Sequence, residues 1–294
     1  MRSHRAADVP FLRQPPTDPA APGPAPEPGA VPAPWPLAFA HRGFAPRGEE
    51  NTMAAFRSAV GLGFRYLELD VRASRDGRLM VFHDETLDRV TDGSGRLGDH
   101  TFDELRRLRV AGREPIPAFE ELLAEWPDVR LNVDVKDARS AALLARAVAL
   151  HGAQDRVLVA SFADSRRRRL LRELGVPIAT SGGAPTIALA TFLGPLGLMP
   201  ALRPLLRGVA ALQVPVRHGS LTVVTPGFVR RAHAAGLHVH VWVVDRPDEM
   251  HRLLDLGVDG LMSDRADVLA AVMAERGYWP QRPLDRGPDR SGAP

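Results

Sequence analysis

Two short stretches set carboxylates at a spacing that suits a shared cation. "LELDV" (67–71) carries Glu68 and Asp70, and "LNVDVK" (131–136) carries Asp134 and Lys136. In both, polar residues alternate with Leu or Val, so a strand would place each polar pair on one face. Three carboxylates converging on one point repel strongly unless a cation lies between them. A hard divalent ion held by oxygen, Ca2+ or Mg2+, is the natural partner; zinc fits poorly, because its remaining ligands would be water and substrate oxygen. Glu68, Asp70 and Asp134 are therefore candidate metal ligands. His41 and His83 can act as general acid and general base near neutral pH, the pair that cleavage of a phosphate ester requires. Arg42 offers a phosphodiester a planar bidentate fork, and Lys136 a compact point charge.

Lys136 is also the one lysine among 38 basic residues. Where arginine fills every other cationic position, a retained lysine points to a site whose geometry a guanidinium cannot reproduce. Taken singly, these groups have plainer explanations. Glu-x-Asp suits a solvated strand face, Asp-x-Lys suits an intrasheet ion pair worth under about 1 kcal/mol, and a histidine at a strand end suits packing.

What distinguishes them is the frame that must hold them. Between Leu37 and Met273, short β-type runs alternate with amphipathic helical stretches, the pattern of parallel strands joined by crossover helices. The runs cover 37–41, 65–71, 129–135, 156–161, 176–180, 209–214, 237–244 and 258–263. Eight such strands in a chain of this length predict an α/β fold, a (β/α)8 TIM barrel, whose active site forms at the C-terminal strand ends. A doubly wound open sheet is the alternative, but no glycine-rich dinucleotide turn follows the first strand. Asp76-Gly77 lies between two β-type runs as a two-residue turn would, so a β-hairpin should leave the barrel after strand two. Pairing 75 with 78 then pairs 70 with 83 and returns His83 opposite Asp70.

The rest of the chain narrows the field. At 294 residues and 45% hydrophobic content, it can bury a large core. It has no cysteine, which excludes disulfides, thiolate metal sites and a cysteine nucleophile. A net charge of +3 gives little reason to expect nucleic acid, and none is expected as a partner. Residues 1–36 contain eleven prolines and read as a disordered Pro/Ala-rich tail; 37–276 form the barrel and 277–294 a flexible C-terminal tail. The start lacks the apolar core of a secretory signal, so a cytoplasmic location is expected. From Leu174 to Leu202 there is no charge, but the prolines forbid a transmembrane helix. Buried strand plus loop is expected there; the alternative is an exposed apolar lid at 181–202 in transient contact with a lipid-like substrate. Arg166 to Arg169 should be a solvated helix face, and His238 with His240 structural rather than a second metal site.

With these residues in view, the chain resembles the glycerophosphodiester phosphodiesterase family, a metal-dependent, phospholipase C-like phosphodiesterase TIM barrel. The likeness rests on "AHRG" (40–43), "ENT" (50–52), "LELDV" (67–71), "DGRLMVFHDETLDRVTDGSG" (76–95), "LNVDVK" (131–136), "VHVWVVD" (239–245) and "GVDGLMSDRADVL" (257–269). The resemblance implies that His41 and His83 are the acid/base pair and that Glu68, Asp70 and Asp134 hold one divalent cation. It further implies that Arg42 and Lys136 bind phosphate, Glu50 supports the first histidine and the metal shell, and Trp242 lines the substrate rim. The reaction implied is hydrolysis of a glycerophosphodiester to sn-glycerol 3-phosphate and an alcohol through a cyclic phosphate. Lysophospholipase D action on a lysophospholipid, or a non-catalytic phosphodiester-binding barrel, are the alternatives. Two departures stand out: Asp134 replaces the family's usual Glu and is shorter by roughly 1.5 Å, and Glu49 replaces the usual Pro before "ENT".

Overall fold

The computed structural model describes residues 9–13 and 35–281. The strands of its main sheet are β1 (Leu37–His41), β2 (Tyr66–Ala73), β3 (Leu79–Val81), β4 (Arg130–Val135), β5 (Val157–Ala160), β6 (Ala179–Thr180), β7 (Ala211–Pro215), β8 (His238–Trp242) and β9 (Gly260–Ser263). All but β3 pair in parallel in the order β6-β5-β4-β2-β1-β9-β8-β7. The Ser181–Ala211 bridge and the bond from Ala210 N to Thr180 O at 2.8 Å close the ring. The expected (β/α)8 barrel is therefore present, with helices on its outer face. β6 is shorter than the expected 176–180, where Pro177 has no N–H to give to a ladder.

The hairpin forms, but its register is one residue from the expectation. Val71 pairs with Val81, Arg72 with Met80 and Ala73 with Leu79. The loop holds three residues, 75–77, because Ser74 N bonds to Arg78 O at 2.9 Å. Ser74 Oγ stabilises it, donating to Asp76 at 2.6 Å and accepting from Arg78 N at 2.8 Å. Phe82, not His83, is thus opposite Asp70, and Phe82 N donates to Asp70 O at 2.9 Å. His83 arrives at the barrel mouth only after the chain has left the strand.

Three apolar clusters follow from this topology. The largest lies between barrel and helices, a second fills the barrel floor with Leu37, Phe39, Tyr66, Leu158 and Met262, and a third (Met80, Phe82, Leu87, Leu97, Ile116) anchors the excursion after β2. The floor is completed from outside the expected barrel. Pro10–Leu12 form a 3-10 turn that buries Phe11 and Leu12, with Phe11 edge-on to Tyr66 at 5.5 Å. Tyr66 Oη donates to Phe11 O at 3.3 Å, and Arg130 to Arg13 O at 2.8 Å.

Residues 9–13 thus depart from the expected disordered tail, because two apolar side chains there find an open barrel end to fill. Residues 1–8 and 14–34 lie outside the described residues. At the other end, Trp279 packs on Phe64 at 4.7 Å and Gln281 accepts from Arg65 N at 3.0 Å, so 277–281 dock on the barrel; 282–294 lie outside the described residues. No described helix is long and apolar enough to cross a membrane.

If Phe11 plugs the floor, Phe11→Ala should lower unfolding free energy by about 3 kcal/mol. It should shift the denaturant midpoint with the slope unchanged; an unmoved midpoint would show that the floor closes without it.

Candidate active site

The mouth at the C-terminal strand ends gathers the sequence-derived candidates around one cavity of about 510 Å³, lined by His41, Arg42, Glu68, Asp70, His83, Asp134, Lys136 and Trp242 among others. β1 delivers His41 and the turn after it, β2 delivers Glu68 and Asp70, and β4 delivers Asp134, which pairs in register with Asp70. The turn is tight. Arg42 has φ +54° and Gly43 φ +84°, and a Cβ on Gly43 would stand 2.7 Å from Ala55 C, so only glycine lets helix Met53–Gly61 approach the strand end.

Two cations already sit among the three carboxylates. Lys136 Nζ lies 2.9 Å from Asp70 Oδ1 and 2.7 Å from Asp134 Oδ2. Arg42 Nε lies 3.1 Å from Asp70 Oδ2, and Arg42 N donates to Glu68 at 3.1 Å. Asn51, itself at φ +59°, donates to Asp70 Oδ2 at 2.8 Å. Burial would raise the Asp70 pKa, but Lys136 and Arg42 outweigh it and hold it below the usual range. Glu68 goes the other way: burial first, then the Asp70 charge, push it up to about 7.

Whether these residues suit a divalent cation can be read from what remains unpaired. Asp134 Oδ1 is buried without a hydrogen-bond partner among the described residues. Glu68, pushed up to about 7 by burial and then by Asp70, is hard to ionise where it stands. Three carboxylates facing two fixed cations, with only oxygen on offer, fit one hard ion. Among the described residues no three His, Asp or Glu side chains stand ready as a ligand cluster, because Lys136 bridges Asp70 and Asp134. An ion would therefore compete with Lys136 for those oxygens.

Each histidine is held through Nδ1 by its own aspartate. His41 Nδ1 donates to Asp264 Oδ1 at 2.7 Å, leaving Nε2 facing Glu68 at 3.7 Å. His83 Nδ1 donates to Asp84. Burial disfavours the imidazolium of His41, but Glu68 and Asp264 more than offset it and raise its pKa. For His83 burial prevails over Asp70 and Asp84, and its pKa is lowered. Arg89 ties the two halves together, bonding Asp84 and, at 2.7 Å, Glu50, which in turn accepts from Arg42 at 2.9 Å. Glu50, expected to support the first histidine and the metal shell, is bonded here to Arg42 and Arg89, and Arg42 in turn reaches Asp70.

Beyond the charged half, the cavity wall is apolar. Phe162, Ile187, Phe192, Leu221 and Trp242 line it, and Phe162 meets Trp242 edge-on at 5.9 Å. Of the uncharged stretch expected as buried strand plus loop, the strand is present as β6, but the expected loop is helix Ala184–Leu193 followed by two 3-10 turns, with Phe192 and Leu196 exposed. Arg166–Arg169 are only in part a solvated face, since Arg167 is buried against Asp164 at 3.2 Å and Arg166 donates to Val135 O. His240 is a barrel-core residue, its ring tilted against Phe39 at 5.0 Å and its pKa pulled down to about 3 mainly by burial. Asn51, Asp84, Arg89 and Asp264 were not singled out from sequence. The signals available were the "ENT" triplet, an Asp directly after His83 and the Ser-Asp that ends β9.

Comparison with known proteins places this arrangement. Residues 41–268 match the model of the Glycerophosphoryl diester phosphodiesterase family. The chain is 41% identical over 244 residues to "Probable glycerophosphodiester phosphodiesterase 2" of Mycobacterium tuberculosis, covering 83% of this chain and 92% of that one. Its fold matches a glycerophosphodiester phosphodiesterase from Agrobacterium tumefaciens with a TM-score of 0.66 at 25% identity, covering 80% of this chain and 99% of that one. It also matches an Oleispira antarctica phosphodiesterase solved with the product sn-glycerol-3-phosphate, with a TM-score of 0.66 at 23% identity, covering 82% and 97%.

The aspartate pairings can be tested without turnover. In a histidine-ring NMR titration, Asp264→Asn should lower the His41 midpoint and Asp84→Asn the His83 midpoint, since each carboxylate raises its partner's pKa. Midpoints that stay in place would show that the pairs do not persist in solution.

Proposed function

The chain belongs to the glycerophosphoryl diester phosphodiesterase family and is a phosphoric diester hydrolase, and from that premise we propose that it converts a glycerophosphodiester to sn-glycerol 3-phosphate and an alcohol. The observation that carries the proposal is the opposed setting of two histidines at one mouth: His41 biased toward its protonated form, His83 toward its neutral form, with the carboxylate cluster in the same cavity. Environments that push two pKa values apart assign an acid and a base.

In the first step His83 takes the proton of the glycerol 2-hydroxyl as that oxygen attacks phosphorus. His41 gives its Nε2 proton to the leaving alcohol oxygen, the P–O bond to the alcohol breaks, and a cyclic phosphate forms. His41, now neutral, then takes a proton from water as the water opens the ring, and His83 returns its proton to the 2-hydroxyl. Arg42 and Lys136 face the phosphate with fixed positive charge, and Arg89 with Glu50 keeps Arg42 in place. Glu68, Asp70 and Asp134 would hold one Ca2+ or Mg2+, which when bound supplies positive charge to the phosphoryl oxygens.

The apolar wall at Phe162, Ile187 and Phe192 favours a second reading in the same chemistry, lysophospholipase D action. Attack by the 2-hydroxyl requires that hydroxyl to be free, so a 1-acyl lysophospholipid qualifies and a diacyl lipid does not.

The test is product release by metal-stripped protein, with calcium, magnesium or neither restored, from glycerophosphocholine and from lysophosphatidylcholine. Metal-dependent glycerol 3-phosphate from the first substrate is expected, with His41→Ala and His83→Ala each slower by on the order of 10²-fold or more. Cleavage of the lipid alone would select the second reading, and no cleavage of either would select a phosphodiester-binding barrel.

A further inference from the structure

The exposed apolar side chains of this chain are not scattered. Ten large ones are exposed among the described residues, and seven of them (Phe162, Leu189, Phe192, Leu196, Leu198, Leu205, Leu221) lie on segments that leave the C-terminal ends of β5, β6 and β7. Phe192 is 62% exposed and Leu196 70%. Isolated exposed leucines need no explanation, but a contiguous set marks a contact surface.

Helix Ala184–Leu193 is the centre of that set. It has no charged residue, and only Thr186 and Ala190 are buried. A helix apolar on all sides is normally enclosed by its own protein; this one has solvent where a second apolar layer should be. Phe162, Phe192 and Leu221 belong to both the exposed set and the cavity lining, so the apolar wall runs without a break from the cavity onto the outer surface.

Charge identifies what covers it. From Leu174 to Val244 the sequence contains no Asp or Glu, and its charged side chains are arginines 203, 207, 217, 230 and 231. Arg203 and Arg217 are exposed and both follow the apolar helix in sequence, one after its 3-10 turns and one on the short hairpin 217–222. A chain with 35 acidic residues that keeps them all out of this stretch presents a face suited to negative charge above and hydrocarbon below.

We propose that this acid-free apolar face, the segments 184–205 and 217–222, docks on an anionic lipid surface and sets the mouth of the cavity against it. The face is separate from the histidines and carboxylates of the mouth, and its binding to lipid does not depend on which diester the enzyme cleaves. Docked in this way, the cavity opens toward amphiphiles held in the surface, and its apolar wall continues the hydrocarbon layer.

The experiment is flotation of the full chain with vesicles of phosphatidylcholine alone and of phosphatidylcholine with phosphatidylglycerol in equal parts, at low and high salt. Binding to the anionic vesicles is expected, weakened by salt. Leu196→Glu with Leu198→Glu should weaken it by on the order of tenfold or more, and Arg203→Glu with Arg217→Glu by on the order of tenfold. Both double variants should turn over soluble glycerophosphocholine at the parent rate, which separates loss of docking from loss of fold or of activity. Failure of the parent to float with anionic vesicles would overturn the proposal. So would flotation equal in parent and variants, or sedimentation showing that Leu196→Glu with Leu198→Glu breaks a dimer of the lipid-free chain.

Discussion

The mouth of the barrel is organised around an excess of negative charge in a place with little water to screen it. Glu68, Asp70 and Asp134 converge there because the neighbouring strands β2 and β4 end there, and their mutual repulsion must be met from within the fold. Lys136 and Arg42 meet most of it. Lys136 bridges two of the carboxylates and Arg42 grips one while its backbone serves another. What is left, one orphaned oxygen on Asp134 and a Glu68 whose ionisation is opposed by burial and by Asp70, is where an added cation would be taken up. The arrangement also accounts for the solitary lysine. A point charge between Asp70 and Asp134 is compact, and the fork of a guanidinium would need a wider gap.

Around this cluster the mouth divides into two halves of opposite character. One half is a chain of ion pairs and hydrogen bonds, from Asp264 and His41 through Glu68, Arg42, Glu50 and Arg89 to Asp84 and His83. The other half, on the segments that follow β6 and β7, is apolar, and from Leu174 to Val244 the chain carries no Asp or Glu. A phosphodiester suits the first half and a hydrocarbon chain the second, so the division orients an amphiphile before any chemistry begins.

Much of this was legible in the sequence because period-two alternation survives in β2, β4 and β8. The carboxylates could be placed on one face near the strand ends for that reason, and His41 at the end of the apolar run before it. The hairpin register could not, because Asp76-Gly77 looks like a two-residue turn while the actual loop also takes in Arg75, and the deciding contact is the side chain of Ser74. The supporting aspartates were hidden for a different reason. Asp264 comes from the far end of the chain, and nothing in local pattern joins it to His41. The plug at Phe11 was obscured by the prolines around it, whose composition argues for disorder whatever two apolar residues among them go on to do. The uncharged stretch 174–202 was expected to be buried strand plus loop because apolar residues usually are buried; beyond β6 it is a helix that buries only Thr186 and Ala190 and leaves Phe192 exposed.

The measurement closest to the central claim is calorimetry of calcium and of magnesium binding to metal-stripped protein at pH 7, in buffers of different ionisation heat. If the carboxylate cluster is short of one cation, an ion should bind and displace the proton that Glu68 carries at a pKa of about 7. Proton release should then be a substantial fraction of one per ion, fading as pH is raised by about two units. Absence of binding by either ion, or a binding heat independent of buffer, would contradict the account.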